Sequence, residues 1–255
     1  MIAAGLDIGS LTAKAVILGD DHIYSHALRP TGTDIVAIGR KVVNDALEKI
    51  GLSFEDVECV ISTGYGRVSI PFAFKTVTEI TCNAVGVHSV YPQAKTILDI
   101  GGQDSKAIKM DAEGQVVNFA MNDKCAAGTG RFLEVAAQTL EVPLEQMGEL
   151  SFKAKQMIKI SSTCTVFAQT EIVSLIAKQI AKEDIIAGLH DAIAHRVYGL
   201  ISSINPEGQV VMTGGVARNV GVIRALERIM EVKLLVPDNP QILTALGAAL
   251  IAKRK

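Results

Sequence analysis

The chain has 255 residues, enough for one large domain or two small ones, and 49% of them are hydrophobic, ample for a packed core. Its 25 basic and 27 acidic residues nearly cancel, which leaves no electrostatic reason to propose nucleic acid or an anionic membrane as a partner. Aromatic residues make up only 4%, which weakens any case for base stacking; no apolar run approaches a bilayer span; and four cysteines do not resemble a secreted disulfide scaffold, so reduced thiols or metal ligation in a cytoplasmic setting fit better.

The first residues lack a basic region and a cleavage site, so they read as a first strand and not as a secretion signal. That strand runs into Asp7-Ile8-Gly9-Ser10, and further strands are predicted over 13–18 and 22–28, joined by the turn Gly19-Asp20-Asp21. Helical periodicity follows over 34–50 and 80–90, with a strand over 57–62 between them. The next strand, 96–100, ends in Asp99-Ile100-Gly101-Gly102. Strands over 106–110 and 115–121 come after it, around the turn Asp111-Ala112-Glu113-Gly114. Helices are predicted over 130–140, 167–181, 184–204, 217–230 and 241–253, with strands over 210–213 and 233–236. Strands mixed with helices at this spacing indicate an α/β fold.

An internal repeat organises this series. Leu6-Asp7-Ile8-Gly9-Ser10-Leu11-Thr12-Ala13-Lys14-Ala15 recurs as Leu98-Asp99-Ile100-Gly101-Gly102-Gln103-Asp104-Ser105-Lys106-Ala107, at a constant offset of 92. A repeat this long points to two related lobes with a cleft between them, not to a solenoid.

Each Asp-Ile-Gly turn stands at a strand end. Glycine lets backbone approach a phosphate closely, turn N–H groups cradle its oxygens, and a carboxylate such as Asp7 can hold Mg²⁺. Ser10, Thr12 and Lys14 add hydroxyls and a cation, although strand alternation stops them all from facing one ligand. In the second copy the polar residues Gln103 and Asp104 can orient an attacking water. A third glycine turn, Thr213-Gly214-Gly215-Val216-Ala217-Arg218-Asn219, follows a strand, opens a helix and can press flat against a base or ribose.

One Asp-x-Gly turn is common simply as a turn. Two matching copies with a strand–Gly-Gly–helix element resemble, over nearly the whole chain, the superfamily of actin, Hsp70 chaperones and sugar kinases, in which two ribonuclease-H-like lobes close on ATP. The resemblance implies an N-terminal lobe over 1–92 and a C-terminal lobe with a cluster-binding insertion over 93–255. It makes the Asp7 and Asp99 loops the phosphate loops and sets Gly214-Gly215 at the adenosine. Asp7, Asp99, Gln103 and Asp104 are then the candidate catalytic residues. Gly9, Ser10, Leu11, Thr12, Lys14, Gly101, Gly102, Gln103, Gly214, Gly215, Val216, Asn219 and Gln241 are the candidate nucleotide contacts.

Two cysteines carry separate information. Cys125 sits in Asn122-Asp123-Lys124-Cys125-Ala126-Ala127-Gly128-Thr129-Gly130-Arg131, and Cys164 in Ser161-Ser162-Thr163-Cys164-Thr165-Val166-Phe167, each just before a predicted helix. A helix N-terminus favours the anionic, metal-binding thiolate. The polar, glycine- and hydroxyl-rich flanks argue against core positions. From the residues alone, zinc or a redox disulfide is as open as an iron–sulfur cluster. Cys59, beside Val60-Ile61, and Cys82, near a helix start, read as buried free thiols.

These two segments, with Thr63-Gly64-Tyr65-Gly66-Arg67 and Ala245-Leu246-Gly247-Ala248-Ala249, closely resemble the activators of 2-hydroxyacyl-CoA dehydratases and the related ATPase subunits of benzoyl-CoA reductases. The resemblance implies a homodimer, or a pair of similar subunits, with one 4Fe-4S cluster between them held by Cys125 and Cys164 of each chain. It also implies ATP/ADP with Mg²⁺, a ferredoxin or flavodoxin as electron donor, and a partner iron–sulfur dehydratase or reductase as acceptor. A small-molecule kinase of the same superfamily, or an ATP-binding zinc or redox sensor, is the alternative; the kinase explains neither cysteine motif.

Weaker candidates read structurally. His190 and His195, five apart on one helix, are poorly spaced for a shared metal and read as exposed or capping. Lys124 and Arg131 read as surface charges, and Gln169 and Glu171 as ordinary helix polarity.

Overall fold

A computed structural model describes residues 1–20, 22–161 and 164–254. Asp21 of the first predicted turn, and Ser162 and Thr163 of the Cys164 motif, lie outside the described residues. Two compact units are present. One comprises Met1–Ile97, Ile108–Phe119 and Asp238–Lys255, the other Leu98–Ala107 and Ala120–Pro237.

The first half of the chain runs β1 (Ala3–Ile8), β2 (Thr12–Gly19), β3 (His22–Pro30), α1 (Ile35–Glu48), β4 (Cys59–Thr63), β5 (Lys75–Thr76) and α2 (Glu79–Val90). The sheet order is β3-β2-β1-β4-β5. β1 pairs antiparallel with β2 and parallel with β4. It is buried along its whole length, as suits a central strand covered on both faces. Leu6, Ile8 and Ile17 pack with Val42, Val43 and Leu47 of α1 in one core cluster. Asp34 caps α1 by accepting from the Ala37 N–H, and Thr78 caps α2 by accepting from that of Thr81.

The second half continues with β6 (Ala94–Ile100), β7 (Ser105–Met110), β8 (Val116–Asn122), α3 (Gly130–Leu140), α4 (Met147–Ser151), α5 (Thr165–Ala177), α6 (Lys182–Ser202), β9 (Gln209–Thr213), α7 (Val220–Met230), β10 (Leu234–Leu235) and α8 (Leu243–Lys253). Its sheet order is β10-β9-β6-β7-β8, which read from the other edge is that of the first sheet, element for element. The repeated decapeptide therefore marks a repeated sheet, with Asp7 and Asp99 at the ends of equivalent strands. What differs is the chain between the third and fourth strands: α1 alone in the first copy, α3 to α6 in the second.

α8 packs on β1 and α2, and its buried Ala248 and Ala252 share a cluster with Ala3, Ile61 and Cys82. The second core gathers Leu133, Ala137 and Leu140 of α3, Ile172 of α5, and Leu189, Ile193 and Val197 of α6. No helix among the described residues is long and apolar enough to cross a membrane.

Predicted and observed elements differ at particular ends. The helix expected over 217–230 is a short 3-10 turn at Gly215–Arg218 followed by α7, because Asn219 caps a fresh helix there. The helix expected from 167 begins at Thr165, and the one expected from 241 begins at Leu243. α4 and β5 are too short to show a period in sequence and are not among the predicted elements.

Candidate functional site

Asp7 is the penultimate residue of β1 and is 6% exposed. Antiparallel pairing sets Lys14 of β2 opposite it, and the Lys14 Nζ reaches its Oδ2 at 3.0 Å. Parallel pairing sets Thr63 of β4 on its other side, followed by Gly64 at φ 84°. A side chain at Gly64 would run into the Asp7 carboxylate, so the position needs glycine for space as well as for its left-handed backbone. The turn itself is held by Gly9 N–H donating to the Thr12 carbonyl (3.0 Å) and the Thr31 hydroxyl donating to the Gly9 carbonyl (2.7 Å). Ser10, Leu11 and Thr12 lie half-buried along it.

The second copy repeats this arrangement. Asp99 is the penultimate residue of β6, and Lys106 of β7 is almost fully buried, with its Nζ 3.5 Å from Asp99 Oδ2 and 2.8 Å from Asp104 Oδ2. Thr213 ends β9 and donates its hydroxyl to Asp99 Oδ1 at 2.9 Å. Gly214 follows at φ 87°, and a Cβ there would lie 2.8 Å from the same oxygen. Thr63-Gly64 and Thr213-Gly214 thus hold equivalent places beside the two acids, although only the Thr213 hydroxyl bonds its acid, and this second repeat is one that sequence reading missed. Gly101 N–H donates to the Asp104 carbonyl at 2.9 Å, Asp104 is half-buried, and Gln103 is exposed.

The other expected nucleotide residues are placed as follows. Gly214 is half-buried and Gly215 exposed, while Val216 is buried in the core. Asn219 accepts at its side-chain oxygen from the N–H groups of Gly221 (3.0 Å) and Val222 (3.1 Å), which commits that oxygen to capping α7. Gln241 is half-buried just ahead of α8.

Each turn therefore presents a carboxylate, an ammonium group and a close glycine approach that a Cβ would block. Hard carboxylate oxygens suit Mg²⁺, and lysine with turn N–H groups suits phosphate oxygens. This donor set fits a magnesium–nucleotide ligand.

The Asp99 turn also reaches the Cys125 segment. The first N–H groups of α3 are taken by that turn: Gly130 donates to the Gly101 carbonyl at 2.9 Å and Arg131 to the Gly102 carbonyl at 2.8 Å. Ser105 donates its hydroxyl to the Gly128 carbonyl at 2.9 Å. Within the segment, Asn122 donates to the Cys125 carbonyl (3.0 Å) and Thr129 to the Ala126 carbonyl (2.6 Å). This corrects the expectation for Cys125. It does not abut α3 but stands in the loop ahead of Thr129, the residue that precedes the helix, and the helix N-terminus is occupied by backbone carbonyls. Cys125 is half-buried, and the Arg196 guanidinium donates to its Sγ at 3.2 Å.

Cys164 fits its expectation, standing at the N-cap of the 13-residue α5 with its side chain exposed. Further along α5, the Glu171 carboxylate accepts from both the N–H (2.9 Å) and the hydroxyl (2.9 Å) of Ser161, so this residue is more than ordinary helix polarity. α5 also turns apolar side chains to solvent: Val166 and Phe167 are each 68% exposed, with Val173 and Ile176 further along. Exposed apolar groups of this size on one helix mark an interaction surface.

Cys59 and Cys82 are buried, and desolvation pushes the Cys82 thiol up to about 12, so it stays protonated and unreactive. His190 is not exposed but 2% accessible, 3.4 Å from the Asn219 side chain; desolvation holds it neutral, with its pKa down at about 4. His195 is exposed and pairs with Asp191. Lys124 and Arg131 are exposed, and Arg131 pairs with Glu134. Among the described residues no three His, Cys, Asp or Glu side chains converge.

The family model described as the BadF/BadG/BcrA/BcrD ATPase family matches residues 4–252. The 2-hydroxyisocaproyl-CoA dehydratase activator of Clostridioides difficile is 46% identical over 254 residues, covering 99% of this chain and 95% of that protein. The solved structure of the activator of the 2-hydroxyisocaproyl-CoA dehydratase from Clostridium difficile, with bound ADPNP, superposes with a TM-score of 0.94 at 45% identity, covering 99% of this chain and 94% of that one. A ROK family glucokinase from Streptomyces griseus, 14% identical with a TM-score of 0.63 and full coverage of both chains, shares the fold alone. The repeated sheets are those of an actin-like ATPase, and the chain belongs to the BadF/BadG/BcrA/BcrD ATPase family.

Proposed function

We propose that the protein is a cytoplasmic, ATP-driven one-electron donor that activates a partner iron–sulfur enzyme of the 2-hydroxyacyl-CoA dehydratase class. The observation that carries this reading is the hydrogen bonding between the Asp99 turn and the segment holding Cys125. Relatives named as activators of such dehydratases support it, at 46% identity over nearly the whole chain.

In this reading Asp7 holds Mg²⁺, Lys14 and Lys106 neutralise phosphate oxygens, and Gln103 and Asp104 orient the attacking water. Gly214 and Gly215 lie flat beneath the adenosine. Cys125 and Cys164 of each protomer of a homodimer would hold one 4Fe-4S cluster, which would supply one-electron transfer between a ferredoxin or flavodoxin donor and the partner. The thiol chemistry fits: two cysteines outside the core, one at a helix N-terminus and one hydrogen-bonded by a guanidinium, are suited to thiolate ligation. The exposed apolar side of α5, beginning beside Cys164, is suited to a second copy, and a two-fold axis turns two cysteines into four. Nucleotide at the Asp99 turn acts on Cys125 through the Gly101 and Gly102 carbonyls, and does so only as far as it binds two arrangements of that turn unequally.

Anaerobic iron and sulfide analysis tests the reading. About four irons per dimer, lost in Cys125→Ala and in Cys164→Ala, is the expected result. Absence of iron after anaerobic reconstitution would overturn it and leave a nucleotide-binding sensor or kinase.

A further inference from the structure

Arg196 belongs to α6, distant in sequence from Cys125 yet in contact with its sulfur. Its side chain runs along the 125–128 loop. A Cβ built on Gly128 would meet the Arg196 Cδ at 3.2 Å and Cγ at 3.6 Å, and its Nη2 donates to Cys125 Sγ at 3.2 Å. A guanidinium is planar, permanently charged and weakly hydrated, which suits it to a half-buried sulfur better than lysine. Its neighbour Asp191 on the same helix is engaged by Arg228 and His195. Arg196 also lines a cavity of about 520 Å³ with Ala127, Gly128, Phe132, Lys159 and Asp191.

We propose that Arg196 is a positioning residue that fixes the Cys125 sulfur and raises the reduction potential of the cluster that sulfur ligates. This rests on the cluster reading above. The physical basis is general: N–H donors to ligand sulfurs, and positive charge near them, stabilise the reduced and more anionic state. The electron goes to the cluster from the external donor, and Arg196 neither gains nor loses a proton or a bond. Its effect is to keep the cluster reducible by a donor of ordinary low potential.

The experiment compares anaerobically purified wild-type protein with Arg196→Met, Arg196→Gln and Arg196→Lys. Iron is counted first, then the midpoint is read by redox titration followed by EPR. Loss of the charge in the Met and Gln variants should cut the reduced-to-oxidised ratio at a fixed poise by about tenfold, or about 59 mV for a one-electron couple, and Lys should restore most of it. An unchanged midpoint in any iron-replete Met or Gln variant overturns the proposal while leaving the cluster reading intact. If Met cannot retain iron, Gln and Lys decide the matter, since Gln keeps an N–H donor without the charge and Lys keeps both. Wild-type protein without iron defeats the underlying reading itself, a separate outcome visible before any potential is measured.

Discussion

The carbonyl of Gly101 accepts the N–H of Gly130 at 2.9 Å, so the turn that follows Asp99 and the first residue of α3 are one hydrogen-bonded unit. Backbone carries this contact and no side-chain substitution removes it directly, but its companion from Ser105 to the Gly128 carbonyl can be removed. We expect Ser105→Ala to leave nucleotide affinity within about fivefold, since a hydrogen bond of this kind is worth on the order of 1 kcal/mol, and to reduce the nucleotide effect at Cys125. Iron release to a chelator in the presence of ADP and of a non-hydrolysable ATP analogue measures this. A Ser105→Ala protein with the full wild-type difference between the two nucleotides would count against coupling along this route.

Gly64 and Gly214 hold equivalent places beside the two acids, each in the left-handed region. An added methyl group there meets a carboxylate and strains the backbone, at a cost of roughly 1–3 kcal/mol each. Gly64→Ala and Gly214→Ala should therefore weaken nucleotide binding by about tenfold or more in calorimetric titration, with the greater effect on Gly64, where the Asp7 carboxylate is nearest. Wild-type affinity in either variant would remove that turn from the nucleotide site.

Lys106 is buried against two carboxylates, Asp99 and Asp104. Removing its charge leaves those acids facing each other without compensation, and breaking a buried pair in this way costs about 3–5 kcal/mol. Lys106→Met should melt well below the wild type, and Asp104→Asn should recover part of the loss. A lack of recovery in the double variant would show that packing, not charge, dominates at Lys106.

His190 gives a pH dependence with a definite sign. Desolvation lowers its pKa from 6.5 unfolded to about 4 folded, so the folded protein keeps it neutral where the unfolded chain binds a proton. No stability is lost to this group above the unfolded value, and as pH falls from there to about 4 each unit costs about 1.4 kcal/mol. Urea unfolding at pH 7 and pH 5 should show this loss, and His190→Gln should flatten it. An equally steep slope in the variant would assign the effect to other groups.

The two related lobes are legible in the sequence because the motif recurs at an offset of 92, which by itself matches Asp7 to Asp99 and Lys14 to Lys106. Thr63-Gly64 and Thr213-Gly214 escape because the longer chain between β8 and β9 moves that offset to 150. Helices with a clear apolar period, such as α3, are readable from their side chains, whereas the five-residue α4 is too short to display one. The cysteine motifs are readable, but the setting of Cys125 is not. Whether a cysteine touches a helix N-terminus turns on a loop of a few residues, and Arg196 lies 71 positions away with no local signal. Glu171 is visible as a helix residue, yet its bond to Ser161 forms across ten positions and a loop.

The shared strand order has a consequence for how such a chain came to be divided in labour. Two sheets built alike are the mark of one half used twice, and the halves have not been burdened equally. Between the third and fourth strands one copy carries a single helix; the other carries the four helices, both thiols and the arginine. The shared pattern holds where the acids stand, and the difference in helices is confined to one connection of one copy. Helices added at a single connection leave the strand order of the sheet and the places of its acids unchanged.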